Sequence, residues 1–311
     1  MIRIIAKLFA FAVALTASLP VGPLFATTPA VVWVSSTGSD SNPCTAAQPC
    51  TSLSAALSSV IAGGQVNCLN SPGPSAEGFM YGFSATLDCA GVYEVTAANF
   101  GAFVFNGNSQ VMKIRNLTIS GAAGGGPAIK VTGSGTLIIE NCVFENLAGV
   151  ALDIEPTGPF NLLITNSRIS SSSGGVLIQP SSGGSVNATF DHVTITQNSG
   201  GGVKINTASG PVTVDMTASV ITDNTGNGLN AVSGAGGAAM FSIGHSVIAR
   251  NGSAGVQANG TNAAALIDTT LLDGNGTGAL EAIGSGRILT YGNNRIVGSA
   301  GTGFTGPAAL Q

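Results

Sequence analysis

Asp191 and Asp215 stand 24 residues apart, close to one period of a repeat that runs through most of the chain. If each repeat is one turn stacked on the last, both project from one sheet face on neighbouring turns, two residues apart in register. At about 4.8 Å per turn and about 3.4 Å per residue, they are separated by roughly 8 Å. Inverting glycosidases hold a general acid and a general base roughly 6.5–9.5 Å apart, which leaves room for the attacking water. The two are therefore candidate catalytic carboxylates. Lys113, Arg115 and Glu140 share the face and are candidate substrate-binding residues for an acidic polysaccharide; Asp268 completes the charged set. A bland explanation competes with this one. Six charges over eight turns also keep a sheet face wet, and Arg115 with Glu140 can be a surface ion pair worth under about 1 kcal/mol.

The elements that place these residues come from the repeat. Apolar anchors recur at Ile119, Phe144, Ile169, Ile195, Ile221, Ile248, Leu272 and Ile296, spaced by 24 to 27 residues. Seven and five residues before each anchor the columns are apolar, as in Leu162 and Ile164 or Val214 and Met216. The last pair in these columns is Leu289 and Tyr291. The position between them varies. This period-two alternation predicts a strand with one buried face. A second strand follows each anchor by about eight residues, as at Val203-Lys204-Ile205, and glycine-rich stretches such as Gly200-Gly201-Gly202 are read as tight corners with positive φ. Its outward stripe (Lys130, Asp153, Glu155, Gln179, Lys204, Asn230, Gln257, Glu281) is amide-rich and suits sugar hydroxyls. A period near 25 without helix predicts one β-solenoid turn per repeat. Propeller blades need about 40 residues or more, and the leucine-rich signature is absent.

Two polar columns follow. Three before the anchor stand Asn116, Asn141, Asn166, His192, Ala218, His245, Thr269 and Asn293; three after stand Asn198, Asn224, Asn251 and Asn275. Both are read as ladders of side-chain amides bonded from turn to turn, with His192 and His245 as substitutes in the first.

The chain opens with Arg3 and Lys7 and an apolar run from residue 8 to 15, the layout of a secretory leader ending at residue 26 or 30. The expected mature protein is secreted, periplasmic or on the cell surface, without a membrane span. Without Arg3 and Lys7 the chain has 8 basic and 14 acidic residues, a net charge of −6, which argues against nucleic acid as partner. Charged residues are only 8%, but 44% hydrophobic content argues against disorder. In an exported protein Cys44, Cys50, Cys68 and Cys89 can form two bridges. Cys44–Cys50 with Cys68–Cys89 is the expected pairing; the sequence leaves the alternatives open. Cys142 lies inside a repeat and is read as a buried small side chain. Asn251, Asn259 and Asn275 match glycosylation acceptors and are read as Asn-Gly turns. No cofactor and no metal site are expected.

Residues 31–69 differ from the repeats. A short strand at 31–35 and a polar turn at 37–43 precede a helical pattern from Leu53 to Ile61, with Thr51 or Ser52 as N-cap and Gly63-Gly64 as terminator. Such a helix would cover the open end of the solenoid core, to which Trp33 is also assigned. The stretches Val34-Ser-Ser-Thr-Gly-Ser-Asp-Ser-Asn-Pro-Cys44, Gln48-Pro-Cys-Thr-Ser-Leu-Ser-Ala-Ala-Leu57 and Ala62-Gly-Gly-Gln-Val-Asn-Cys68 resemble the N-terminal cap of extracellular pectin-lyase-like β-helix proteins. The resemblance implies an all-β, right-handed parallel β-helix with an N-terminal capping helix. The chain is read as a leader (1–26), a cap with irregular first coils (31–100) and repeats (101–311), with cap and repeats as one domain. The segment from 70 to 100, with Phe79, Tyr81, Phe83 and Tyr93, is read as a disulfide-tied first coil, or else as a binding loop.

The family includes polysaccharide lyases, polygalacturonases, epimerases and adhesins, and one fold serves many functions. Polygalacturonases carry Asn-x-Asp, Asp-Asp, Gly-His-Gly and Arg-x-Lys; this chain has only Gly244-His245-Ser246 and a reversed Lys113-Ile114-Arg115. The expected function is polysaccharide binding or a surface role without catalysis. A lyase or inverting hydrolase acting through Asp191 and Asp215 is the alternative.

Overall fold

The computed structural model describes residues 29–70, 75–77, 79–97, 102–121, 125–234 and 236–308. Residues 1–28, which include the expected leader at 1–26, and the side chains of Phe79, Tyr81 and Tyr93 lie outside the described residues.

The repeats form a right-handed parallel β-solenoid of about eight turns. The six turns from Phe144 to Leu272 each carry three strands rather than two, and in the Ile119 turn the first two run together as Gln110–Gly121. In the Ile169 turn the three are Pro159–Thr165, Arg168–Ser170 and Gly174–Ile178, here called leading, anchor and trailing. The sequence reading missed the anchor strand because three residues are too short for period-two alternation to register.

Every strand pairs in parallel with its copy one turn away. All eight anchors stand in one register, from Ile119 beside Phe144 to Leu272 beside Ile296. The columns seven and five before the anchor are buried through the Leu272 turn. In the last turn they slip by one: Ala265 pairs with Ile288 and Ile267 with Thr290. Its corner holds one extra residue, so counting back from Ile296 lands on Leu289 and Tyr291. A one-residue slip exchanges the faces of a strand. Ile288 is accordingly buried and Tyr291 exposed.

The two polar columns turn out differently. Asn198, Asn224, Asn251 and Asn275 form a buried ladder, each side-chain Nδ2 donating to the next Oδ1 at 2.9, 3.0 and 3.0 Å. The backbone N–H groups of Asn198, Asn224 and Asn251 reach the same oxygens at 3.1–3.2 Å. Ser172 extends the ladder towards the N-terminus: its N–H donates to Asn198 Oδ1, and its hydroxyl accepts from Leu147 N–H. Two of the glycosylation-like asparagines, Asn251 and Asn275, are thus rungs inside the wall.

The column three before the anchor is mostly not a ladder. Its members from Asn116 to Thr269 have positive φ, between 42° and 55°, and turn the chain from leading to anchor strand. Asparagine and histidine are among the non-glycine residues that tolerate this region. His192 and His245 therefore occupy exposed corners rather than rungs. Amide bonds survive only at the ends, as from Asn141 Nδ2 to Asn116 Oδ1.

The buried ladder that does line this corner is made of hydroxyls one residue later. Ser167, Ser219 and Ser246 accept the N–H of the preceding turn and donate to a nearby carbonyl. Cys142 stands in this column, buried, its thiol directed at the Glu140 and Ile114 carbonyls. Burial pushes that thiol up to about 11.

At the N-terminal end the helix Leu53–Ser59 covers the core with Leu53, Ala56 and Leu57; Ser52 is the N-cap, accepting from Ala55 N–H. Bridges join Cys44 to Cys50 and Cys68 to Cys89. Trp33 points to the outer side of its strand and is only partly buried, between buried Val32 and Val34. Residues 85–97 form a strand paired in parallel with its neighbours on both sides, interrupted by a bulge between Asp88 and Tyr93.

Candidate functional site

The leading sheet places Asp191 opposite Thr217 and Asp215 opposite Thr189, on neighbouring turns and two residues apart. Glu140 shares a column with Asp191 two turns away, through Thr165. Arg115 lies beside Glu140 and binds it, Nε to Oε2 at 2.5 Å. Asp191 is engaged by its chain neighbour, with His192 Nδ1 at 2.8 Å from Oδ1. Asp215 is exposed. Lys113 is in the Arg115 strand, separated from Asp215 along its column by Ile138, Leu163 and Thr189. The candidates share one face, but the two cations stand at its N-terminal end and the two aspartates further on.

The trailing sheet carries a denser arrangement. Lys130 Nζ sits between Asp153 and Glu155, at 3.0 and 2.9 Å, and Gln179 donates to Glu155 at 2.5 Å. Burial would depress the Lys130 ammonium, but its bonds to Glu155 and Asp153 outweigh this and hold it above the ordinary lysine value. Burial pushes the Asp153 carboxyl up, against the pull of Lys130. Further along, Asn227 donates to Gln257, and Gln257 to Glu281.

Between these clusters lies an open cleft of about 390 Å³. Its floor is Gly174, Gly175, Gly200 and Gly201, where consecutive turns present no side chain. Val150 bounds it on one side and Asn227 and Asn230 on the other; Gln179, Lys204 and Asn206 line the rim. Among the described residues Lys204 is the one charged side chain of the lining. It is exposed and makes no ion pair there. Asn230 Oδ1 is buried and has no hydrogen-bond partner among those residues. Asn227 is fixed, its Oδ1 accepting from Ala254 N–H at 2.9 Å. The cleft can therefore offer amide donors and acceptors and one cation to a polyhydroxylated chain.

The sequence reading found Lys204, Asn230 and Gln179 as a polar stripe but not the cleft. It assigned the glycines to corners needing positive φ, and the stretches at 200–202 and 226–228 do not have it. They are glycine because turns approach closely: a Cβ on Gly202 would lie 2.5 Å from the Gly228 carbonyl oxygen, and one on Gly201 2.8 Å from that of Asn227. The signal was available as glycine recurring at one register position.

Among the described residues no group of three or more His, Cys, Asp or Glu is placed to hold a metal ion, and no helix is long and apolar enough to cross a membrane.

The solved structure of pectate lyase Pel9A superposes with a TM-score of 0.64 at 16% identity, covering 91% of this chain and 79% of that one. The A-module of the Azotobacter vinelandii mannuronan C-5 epimerase AlgE4 gives 0.47 at 14% identity, over 80% and 89%. At 16% identity the likeness to the pectate lyase is one of fold. No curated protein sequence matches. The family model for the right handed beta helix region matches residues 101–188 and 154–306, and with the parallel register of every turn it makes this chain a member of the right-handed β-helix family.

Proposed function

We propose that this is an exported, non-catalytic polysaccharide-binding protein whose binding surface is the cleft of the trailing sheet. The observation that carries this reading is the composition of the cleft. Its lining pairs amides with a free cation and holds no carboxylate among the described residues. Amides satisfy sugar hydroxyls in both directions, and Lys204 adds charge complementarity to an acidic sugar. Two disulfides fit an oxidising compartment. The same fold carries a pectate lyase, so a solenoid wall of this kind is compatible with a glycan partner.

The alternative is a carbohydrate-active enzyme, a lyase or inverting hydrolase, using Asp191 and Asp215. Their placement on neighbouring turns favours it. Against it, Asp191 is held by His192, and neither aspartate lines the cleft.

A glycan array, followed by titration of the retained polymers and analysis of the incubated material, decides between them. Binding with the polymer left intact is the expected result. New unsaturated or reducing ends would establish the enzyme instead, and no retained glycan would remove both readings.

A further inference from the structure

The two ends of the solenoid differ in charge and in cover. From Pro29 to Met112 the chain has four acidic residues, Asp40, Glu77, Asp88 and Glu94, and no Lys, Arg or His. From Ala282 onward it has Arg287 and Arg295 and no acid. Asp40 is exposed on the cap; Arg287 and Arg295 are exposed on the last turn and make no ion pair among the described residues.

The N-terminal end is closed. The helix Leu53–Ser59 covers its core, and the outer edge of Val31–Val34 is bonded by the disulfide loop, with Trp33 N–H donating to Cys44 and Cys50 N–H to Trp33. The last turn is less covered. Among the described residues Arg295–Val297 pairs with Leu271–Asp273 and with no further strand, Arg287–Thr290 is followed by the two-residue strand Gly306–Pro307, and the trailing strand by a single bridge from Leu280 to Gly301. Each end also exposes apolar side chains: Val31, Ile61 and Leu69 at the first, Ile283, Tyr291 and Val297 at the last.

We propose that copies of this chain associate head to tail, the basic last turn of one seating on the acidic cap of the next. Charge selects this arrangement over a twofold end-to-end pair, which would bring Arg287 and Arg295 against their own copies, or Asp40 against its own. The apolar side chains at both ends supply the area removed from water. The contact joins two different surfaces by translation along the solenoid axis, so it does not close and it builds rows. Arg287 and Arg295 also discourage strand addition at the open edge, where charge is the usual protection; an acidic partner neutralises them without adding a strand.

Sedimentation velocity over rising protein concentration tests this, from ~0.01 M to ~1 M salt, where the Debye length falls from ~30 to ~3 Å. The expected result is a weight-average mass that at least doubles at low salt and returns to the monomer at high salt. Arg287→Glu with Arg295→Glu stays monomeric at low salt. Mixed into the unaltered protein it shortens the rows, because its cap still binds while its last turn does not. If the reversal impairs folding by circular dichroism, Arg287→Gln with Arg295→Gln takes its place. A monomer under every condition overturns the proposal, as does association that the arginine variants leave unchanged.

Discussion

Asn224 donates its side-chain Nδ2 to Asn251 Oδ1 at 3.0 Å, and its own backbone N–H reaches the same oxygen at 3.2 Å. Asn224 also accepts both donors of Asn198 and caps the Ile195 carbonyl. Asn224→Ala therefore leaves several buried groups unpaired, each costing about 1–3 kcal/mol. The expected loss is about 3–5 kcal/mol in urea unfolding. Asn224→Ser, which keeps an acceptor as Ser172 does, should lose less. An alanine variant as stable as the parent would mean the ladder contributes nothing net.

Ala218 holds a φ of 48° at a corner where other turns place asparagine or histidine. A left-handed conformation costs a residue with a Cβ about 1–2 kcal/mol. Ala218→Gly should thus raise stability by about 1 kcal/mol, visible as a higher melting temperature. A lower one would show that the strain is relieved by contacts of the methyl group.

Cys142 fills a place that serine fills in other turns, and Ser167 donates there to the Thr165 carbonyl at 2.8 Å. Cys142→Ser is expected to stay within about 1 kcal/mol of the parent, since the hydroxyl inherits a ready acceptor. The folded protein should not react with a thiol reagent at neutral pH, because the thiolate is disfavoured by burial. Rapid labelling without denaturant would contradict this.

The cleft predicts its own variants. Lys204→Ala, and Gly174→Leu placed against Val150, should each weaken glycan binding about tenfold or more, which corresponds to ~1.4 kcal/mol. Asp191→Asn with Asp215→Asn should leave binding unchanged by the same titration. The reverse pattern would move the binding site to the leading sheet.

Acid should destabilise the fold through its lowered carboxyls. The Arg250 guanidinium holds Asp223 below its ordinary value near 3.8; at Asp40 partial burial opposes, but hydrogen bonds from Ser52 and Thr51 prevail. A carboxyl whose folded value is depressed adds stability above its unfolded value, lost as pH falls through the folded one. Melting temperature should hold from neutral pH to about 5 and fall below about 4. Asp153, pushed up by burial, works in the opposite sense and blunts the fall. Asp40→Asn should melt lower at neutral pH and show a shallower acid limb. An acid limb identical to the parent's would remove Asp40 from this account.

Most of the coil was legible because its signal repeats. Eight anchors in one column outweigh any single ambiguous residue, and the register places all eight side by side. What repetition could not convey was local. The extra residue in the last corner moved Leu289 and Tyr291 out of their assigned columns. Asparagine is favoured both by a buried ladder and by a left-handed corner, so residue type alone merged two columns that φ separates. The cleft was hardest to foresee, because it is made of missing side chains at Gly174 and Gly201, and absence has no hydropathy.

The Asn198 to Asn275 ladder also bears on how such a chain can change length over generations. Every rung offers the next turn the same donor and acceptor, so removing one whole turn would join two rungs that already fit. Adding one would extend the row by a further ~4.8 Å. The ladder therefore sets no fixed number of turns within this stretch. The rungs already stack across spacings of 26, 27 and 24 residues, so the corners, not the strands, take up differences in length.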